Sequence, residues 1–409
     1  MGKNTHFIGQ PLYSQVIKLL DKSKILEISR SHGGERYTKR FSAWVHLVIM
    51  LYAVIKRFDS LREITTSLYA EAHKLPHLGI SFKIGRSTLA DANARRADKI
   101  FEDIYHLLYA TYHRELSSDS RDKKTPIWMK RLKIIDSTTI TLFSNLIFKG
   151  AGRHPKSGKK KGGIKVHTVI HANEGVPADI KFTSAATNDS FMLKPSTLNR
   201  GDIMAVDRAY INYEKFEELT QRGVIYVTKM KKSLTYTLIK DKAYQTPEGF
   251  MEVRIQEVVF ERRLKDGKKI EHRARIITYP DTEKQKLISL LTNDMESDPN
   301  EIIVIYHKRW EIELVFKQIK QNFPLRYFYG ESANAIKIQI WVTLIANLLL
   351  MVLKRRLTRT WSFSGLATMI RITLMYYIDF YSLFNNPDKN WERLLKRSSD
   401  PPLQLSLFS

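Results

Sequence analysis

Cysteine is absent from all 409 residues. That excludes disulfides, thiolate zinc sites and cysteine nucleophiles, and it suits a reducing compartment. Acidic residues are scarce beside basic ones: 42 Asp and Glu stand against 67 Lys and Arg, a net charge of +25. So large an excess points to a polyanionic partner, most commonly nucleic acid. The opening stretch MGKNTHFIGQPLYSQ lacks the apolar core of a signal peptide, so no secretory leader is expected. It does not complete a myristoylation pattern either, because His6 stands where Ser or Thr is required. Long apolar runs are missing too. The strongest, Ile338 to Leu353, has sixteen residues and is interrupted by Gln339, Thr343 and Asn347. A membrane span needs about 20 apolar residues, so this run reads as a buried helix and no membrane partner is expected. No internal repeat is visible.

What is present is the composition of a folded protein, 43% hydrophobic and 11% aromatic. The length allows two or three domains. Residues 1 to about 120 read as helical, with a core helix around Val45 to Val54 and another from Ser60 to Ala70, capped by Ser60 or Asp59. In IGRSTLADANARR, Ser87 is placed to cap a helix opening on Thr88. That helix fits either a helix-turn-helix reader or a basic surface helix. SSDSRDKKTP, residues 117–126, reads as a linker.

Strand patterns begin at Ile127. WMKRLKIIDSTTITLF alternates β-branched residues around Asp136, a charge in a strand centre that points into a site. KGAGRHPKSGKKKGGIK, residues 149–165, carries five glycines and seven Lys or Arg. It has the make-up of a phosphate-contacting loop, with Lys159, Lys160, Lys161 and Lys165 as the candidate contacts. It is not a Walker loop, since the glycine spacing and the Gly-Lys-Ser/Thr ending are missing. IKVHTVIH and PADIKFT read as two further strands joined by a turn at Asn173-Glu174-Gly175. A helix from Asp189 to Leu198 is expected next, then the strand DIMAVD ending on Asp207, a helix from Tyr213 to Arg222, and the strand VIYVTKM. Three antiparallel strands followed by helix, strand, helix and strand is the order of a ribonuclease-H-like α/β fold. The division expected is a helical N-terminal DNA-binding domain over 1–120, a catalytic domain over 127–230 and 285–355, a β-rich insertion over 231–284, and a helical C-terminal region over 356–409. In the last of these a helix is expected from Ser364 to Phe380.

The stretch YHKRWEIELVFKQIK, Tyr306 to Lys320, reads as one amphipathic helix. Tyr306, Arg309, Glu313 and Lys320 are three, four and seven residues apart, which places them within roughly 60° of arc. Taken alone, Arg309 and Glu313 also fit an ordinary surface ion pair. Asp136, Asp207 and Glu313 together suggest more. Three carboxylates converging at one sheet edge repel one another unless divalent cations lie between them. Mg²⁺ takes such oxygen ligands, and a pair of ions can activate a nucleophile and stabilise a leaving oxygen in phosphoryl transfer. His167 lies near Asp136 in this reading, as a strand histidine or a catalytic one. Trp310 lies off the acidic stripe.

These residues carry a resemblance. Asp136 in IIDSTTI, Asp207 in DRAY, and Tyr306, Arg309, Glu313 and Lys320 in Y-x2-R-x3-E-x6-K are similar to the insertion-sequence-four type of bacterial DDE transposase. The likeness spans about residues 127 to 355 and includes the β insertion; RSTLADANARR resembles the helical domain that often precedes it. It implies cut-and-paste transposition of DNA. Asp136, Asp207 and Glu313 would be the catalytic metal ligands, holding two Mg²⁺ ions with Mn²⁺ as a substitute. Tyr306, Arg309 and Lys320 would hold phosphates. It further implies binding to terminal inverted repeats and target DNA, a homodimer in the synaptic complex, and a bacterial, cytoplasmic, nucleoid-associated location. The insertion itself has no tryptophan; Tyr236, Tyr244 and Phe250 are among its aromatics and are available to receive a flipped base, if a hairpin forms. A catalytically inactive DNA-binding regulator, or a structure-specific nuclease of the same fold, fits many of the same residues.

Overall fold

The computed structural model describes residues 9–117, 126–141, 152–153, 162–187, 189–231, 233–245, 252–263, 267, 269–281, 285–389 and 391–392. The chain forms two compact units. One comprises Met1–Tyr112 with Gln318–Ser409, the other His113–Lys317.

The first unit is helical. Its core helix, Ala43–Lys56, buries every residue from Ala43 to Ile55. It packs against Ala333–Arg356, the one described helix long and apolar enough to cross a membrane, whose most apolar stretch is 94% buried. Gln339 and Thr343 are satisfied inside it: Gln339 Nε2 donates to the Pro324 and Tyr327 carbonyls, and Thr343 to the Gln339 carbonyl. Chain ends meet here, with Leu12 and Tyr13 donating backbone hydrogen bonds to Tyr376 and Leu374. Ser60 caps Leu61–Ala70 by accepting from the Glu63 amide at 3.2 Å, and the Glu63 carboxylate accepts from the Asp59 amide. The next helix differs from expectation. It opens at Arg86 with Gly85 as its cap, so Ser87 lies inside its first turn and does not cap it. The helix expected from Ser364 to Phe380 is also shorter: it runs from Phe363 to Thr373, and a separate short helix, Phe380–Asn385, follows.

The second unit is built on a ten-stranded sheet. The strands are β1 (Leu132–Thr141), β2 (Gly152–Arg153), β3 (Gly162–His171), β4 (Pro177–Ser184), β5 (Ile203–Val206), β6 (Ile225–Lys229), β7 (Thr237–Gln245), β8 (Glu252–Arg263), β9 (Lys269–Asp281) and β10 (Lys286–Thr292). Their order is β2-β3-β1-β5-β6-β10-β9-β8-β7, with β4 also on β3. β4, β3 and β1 are antiparallel neighbours, and β5 and β6 run parallel to β1. This is the ribonuclease-H-like arrangement. β10, expected within the catalytic domain, pairs with β6, and the strands of the insertion, β9, β8 and β7, continue the same sheet from it.

Local chemistry explains these elements. Asn173 and Gly175 both take φ +68°, the left-handed conformation that the tight β3–β4 turn requires and that Asn and Gly tolerate. All four β5 residues are buried, as befits a central parallel strand covered on both faces. Tyr213–Gln221 starts where the Asn212 side chain accepts from the Lys215 amide, and lays Phe216 and Leu219 on the sheet. There Phe216 stacks on Tyr226, ring centres 3.9 Å apart.

Three expectations change. Ile127–Arg131 is a short helix, so the first strand begins only at Leu132. Asp189 to Leu198 is two 3-10 turns, Asp189–Met192 and Pro195–Thr197, because Pro195 interrupts an α-helical hydrogen-bond run. Tyr306 to Lys320 is not one helix. Pro299–Lys308 stops and Glu311–Asn322 restarts.

Candidate active site

The two aspartates meet through strand register. β1 and β5 are parallel and pair Ile135 with Val206. Asp136, the next residue of β1, and Asp207, the residue just past the carboxyl end of β5, therefore lie side by side where sites of open α/β sheets gather. Asp207 is fixed by capping the 3-10 turn Arg208–Tyr210, accepting from the Ala209 amide at 2.9 Å. Asp136 accepts from the Ser137 amide at 2.7 Å.

Glu313 arrives from the helix pair. At the break the hydrogen bonds tighten to three-residue steps: the Arg309, Trp310, Ile312 and Glu313 amides donate to the Tyr306, His307, Arg309 and Trp310 carbonyls. This turns Arg309 inward. It is 6% exposed, while Trp310 is 48% exposed. The second helix is anchored at its start, where the Glu311 carboxylate accepts from the Asn173 amide at 3.0 Å and from Lys308 at 2.7 Å. Turn and helix are thereby tied together.

Arg309 spans two of the acids. Its Nη2 donates to Glu313 Oε1 at 2.9 Å and its Nη1 to Asp136 Oδ2 at 3.3 Å. The guanidinium also lies over the buried Tyr306 ring, 5.7 Å from its centre. Burial opposes its charge, but Tyr306, Glu313 and Asp136 outweigh that and hold it protonated. Burial pushes the Asp136 carboxyl up to about 6; the Ser137 amide and Arg309 pull it down, and Asp207 and Glu313 push it up again.

Behind Asp136 lies a network in which Lys165 and His167, both noted in the sequence, join Ser137, Asp189 and Tyr210, which were not. Ser137 Oγ donates to Asp189 Oδ1 at 2.5 Å, and Lys165 Nζ lies 3.2 Å from the same oxygen while donating to the Thr187 carbonyl. His167, opposite Ser137 in the β1–β3 ladder, is fully buried with Nε2 2.7 Å from Thr183 Oγ1. Burial lowers its pKa to about 4, so it is neutral and partnered, as a strand histidine should be. The Tyr210 hydroxyl is buried beside these groups. Their signal in the sequence was a strand of alternating polar residues, but no spacing rule links Asp189 to Ser137 across 52 positions.

Of the other candidates, Lys165 is held in this inner network. Lys320 is exposed on the Glu311–Asn322 helix and groups with the first unit. Lys159, Lys160 and Lys161 lie outside the described residues, as does Phe250. The Tyr236 ring packs edge-on against Phe260 at 5.7 Å.

A family model described as "Transposase DDE domain" matches residues 127–349, more than half of the chain. The chain belongs to the DDE transposase family. It is a DNA transposase, an enzyme that cleaves and transfers DNA strands, and its family works with divalent metal. A Sinorhizobium fredii protein named "Putative transposase y4zB" is 28% identical over 66% of this chain and 72% of its own length. The transposase for insertion sequence element IS231C of Bacillus thuringiensis is 21% identical over 81% of this chain and 77% of its own. These relatives support the insertion-sequence-four type. A solved piggyBac transposase synaptic complex with hairpin DNA aligns at TM-score 0.47 and 11% identity, covering 97% of this chain and 84% of that chain. Residues 8–81 of this transposase match a domain of unknown function.

The three candidate ligands, Asp136, Asp207 and Glu313, offer only carboxylate oxygens, the chemistry that hard divalent cations take. The raised Asp136 carboxyl reflects in part the negative charge of Asp207 and Glu313, which a cation would relieve. Among the described residues no three such side chains are yet close enough together to hold an ion. The Arg309 guanidinium bonds to two of the three.

Proposed function

We propose that this transposase cuts at the inverted-repeat ends of an insertion sequence and joins them to target DNA by a cut-and-paste route, using Asp136, Asp207 and Glu313 as its catalytic carboxylates. The carrying observation is the parallel register that makes Asp136 and Asp207 neighbours, with Glu313 joined to Asp136 through Arg309. The three would hold two Mg²⁺ ions, with Mn²⁺ as a substitute. Such ions lower the pKa of an attacking water and offset charge on the leaving oxygen.

The chain's own residues do the rest. Arg309 is planar and fork-shaped, so it can leave its two carboxylates for two oxygens of one phosphate. A phosphate in that position frees Glu313 and Asp136 as ligands, so DNA arrival and assembly of the acidic site are one event. Tyr306, buried beneath Arg309, can offer its hydroxyl to the same phosphate. Lys320, Lys159, Lys160, Lys161 and Lys165 supply further cations for the backbone, Lys165 only on exchanging Asp189 for a phosphate. Residues 1–120 bind DNA as a helical domain. Two protomers would act on two ends as a homodimer in the synaptic complex.

Glu313→Gln tests the reading. It keeps the shape and the hydrogen-bond acceptor facing Arg309, but removes the charge. Strand cleavage of end-bearing duplex in Mg²⁺ should fall by at least about a thousandfold, the scale on which a key electrostatic group acts, while duplex binding stays within about threefold. Wild-type cleavage by this variant would sink the assignment.

A further inference from the structure

The helical unit contains a second concave surface, of about 890 Å³, walled on one side by residues 32–41 and on the other by residues 82–97. Its exposed cations are Arg36, Lys39, Arg40, Lys83 and Arg95, with buried Arg96 also in the wall, against the single carboxylate of Asp91. None of the five is ion-paired with a described carboxylate. The loop that presents three of them is built rather than slack. Glu35 accepts from Ser29 Oγ at 2.7 Å and the Ala43 amide at 2.8 Å. Buried Arg96 lies beneath, donating to the Phe41 carbonyl at 2.9 Å and the Gly34 carbonyl at 3.3 Å. On this fixed loop Tyr37 is 96% exposed, with φ +59°. A large aromatic in the left-handed conformation carries strain, and full exposure forgoes its burial. A folded loop that holds such a ring in solvent among cations has the make-up of a binding surface.

We propose that this groove grips the sugar–phosphate backbone of duplex DNA, with Tyr37 reaching from it into the adjoining DNA groove. The proposal rests on the transposase reading for its substrate, but the site is separate from the carboxylates. Duplex is favoured over single-stranded nucleic acid because one fully exposed ring stands among five exposed cations, while the phenylalanine rings of the wall, Phe41 and Phe82, are half-buried. Single-strand binders instead line up several aromatics for successive bases. Each cation that meets a phosphate releases counterions, so the groove contributes affinity and salt dependence. Tyr37 contributes register.

The full-length protein and a fluorescently labelled duplex test this by anisotropy over a salt series. Replacing Arg36, Lys39 and Arg40 together by Ala should weaken binding at least tenfold, and the log–log salt slope should fall in magnitude by about 0.9 for each phosphate no longer neutralised. Tyr37→Gly should weaken binding about fivefold or more, while the melting temperature holds or rises because glycine relieves the backbone. A loop with only a structural role would not give that split. Wild-type affinity and slope in the triple variant overturn the proposal, as does tighter binding of a matching single strand than of the duplex. Normal binding by the triple variant alongside loss of cleavage in Glu313→Gln would reject the groove and leave the catalytic reading standing. The opposite pair of results would reject the carboxylates and keep the groove.

Discussion

Arg309 and Asp136 are the residues where stability and activity oppose each other. With its carboxyl pushed from 3.8 to about 6 mainly by burial, Asp136 binds more protons in the folded than in the unfolded chain between those values. By linkage, stability then falls as pH rises through that window and stays lower above it. Asp136→Asn removes the cost, at most of order 3 kcal/mol. The variant should therefore be inactive yet melt a few degrees higher than wild type at pH 7.5 in chelator, with the difference closing as pH drops toward 4. A lower melting temperature at pH 7.5 would show that the Arg309 pairing outweighs the burial. Arg309→Ala makes a complementary prediction. Without the guanidinium against Asp136 and Glu313, the DNA-free protein should bind Mn²⁺ about tenfold more tightly by calorimetry, the scale of one charge-assisted hydrogen bond. Cleavage should fall, since the phosphate loses its fork. Unchanged Mn²⁺ affinity would mean that Arg309 does not compete with the metal. Asp136, Asp207 and Glu313 stood out from the sequence through their surrounding motifs. Asp189 and Ser137 did not, and His167 stood out only for its place near Asp136, because the links between these residues join a strand to a distant turn or cross between strands and carry no local spacing.

At the scale of elements, most strands and helices were readable because periodicity and turn chemistry agreed. β5 is a short apolar strand ending at Val206, just before Asp207, and Asn173 and Gly175 mark the β3–β4 turn. The break at Arg309 and Trp310 was not readable. No Gly or Pro marks it, and 3.6-residue spacing continues through it. The buried hydrogen bonds of Arg309 are made with Asp136, far away in sequence, and with Glu313, so tertiary interactions override a continuous helical pattern. Tyr213–Gln221 gives an independent check on the fold. Asn212→Ala removes its cap and should cost about 1 kcal/mol, a drop of a few degrees in melting temperature, with cleavage at room temperature retained. A loss of cleavage without loss of stability would mean that this helix does more than support the sheet.

Across the whole molecule, a net charge of +25 sets how the protein meets its substrate. Affinity for duplex should drop steeply with salt, and two protomers should sediment with two end-bearing duplexes in ultracentrifugation; a flat salt response or a one-to-one complex would contradict the synaptic reading. The composition and the alternating and helical periodicities determined the polyanionic partner and the fold class, and the motifs around Asp136, Asp207 and Tyr306 to Lys320 carried the resemblance to the family, because those are properties of charge, local pattern and motif. Tertiary structure alone decided four things. It grouped residues 318–409 with the N-terminal helices and joined β7 to β9 to the catalytic sheet through β10. It also turned Arg309 onto the acids and stood Tyr37 out among cations. Each depends on interactions between distant residues, whose energies outweigh local preference and leave no periodic trace in the chain.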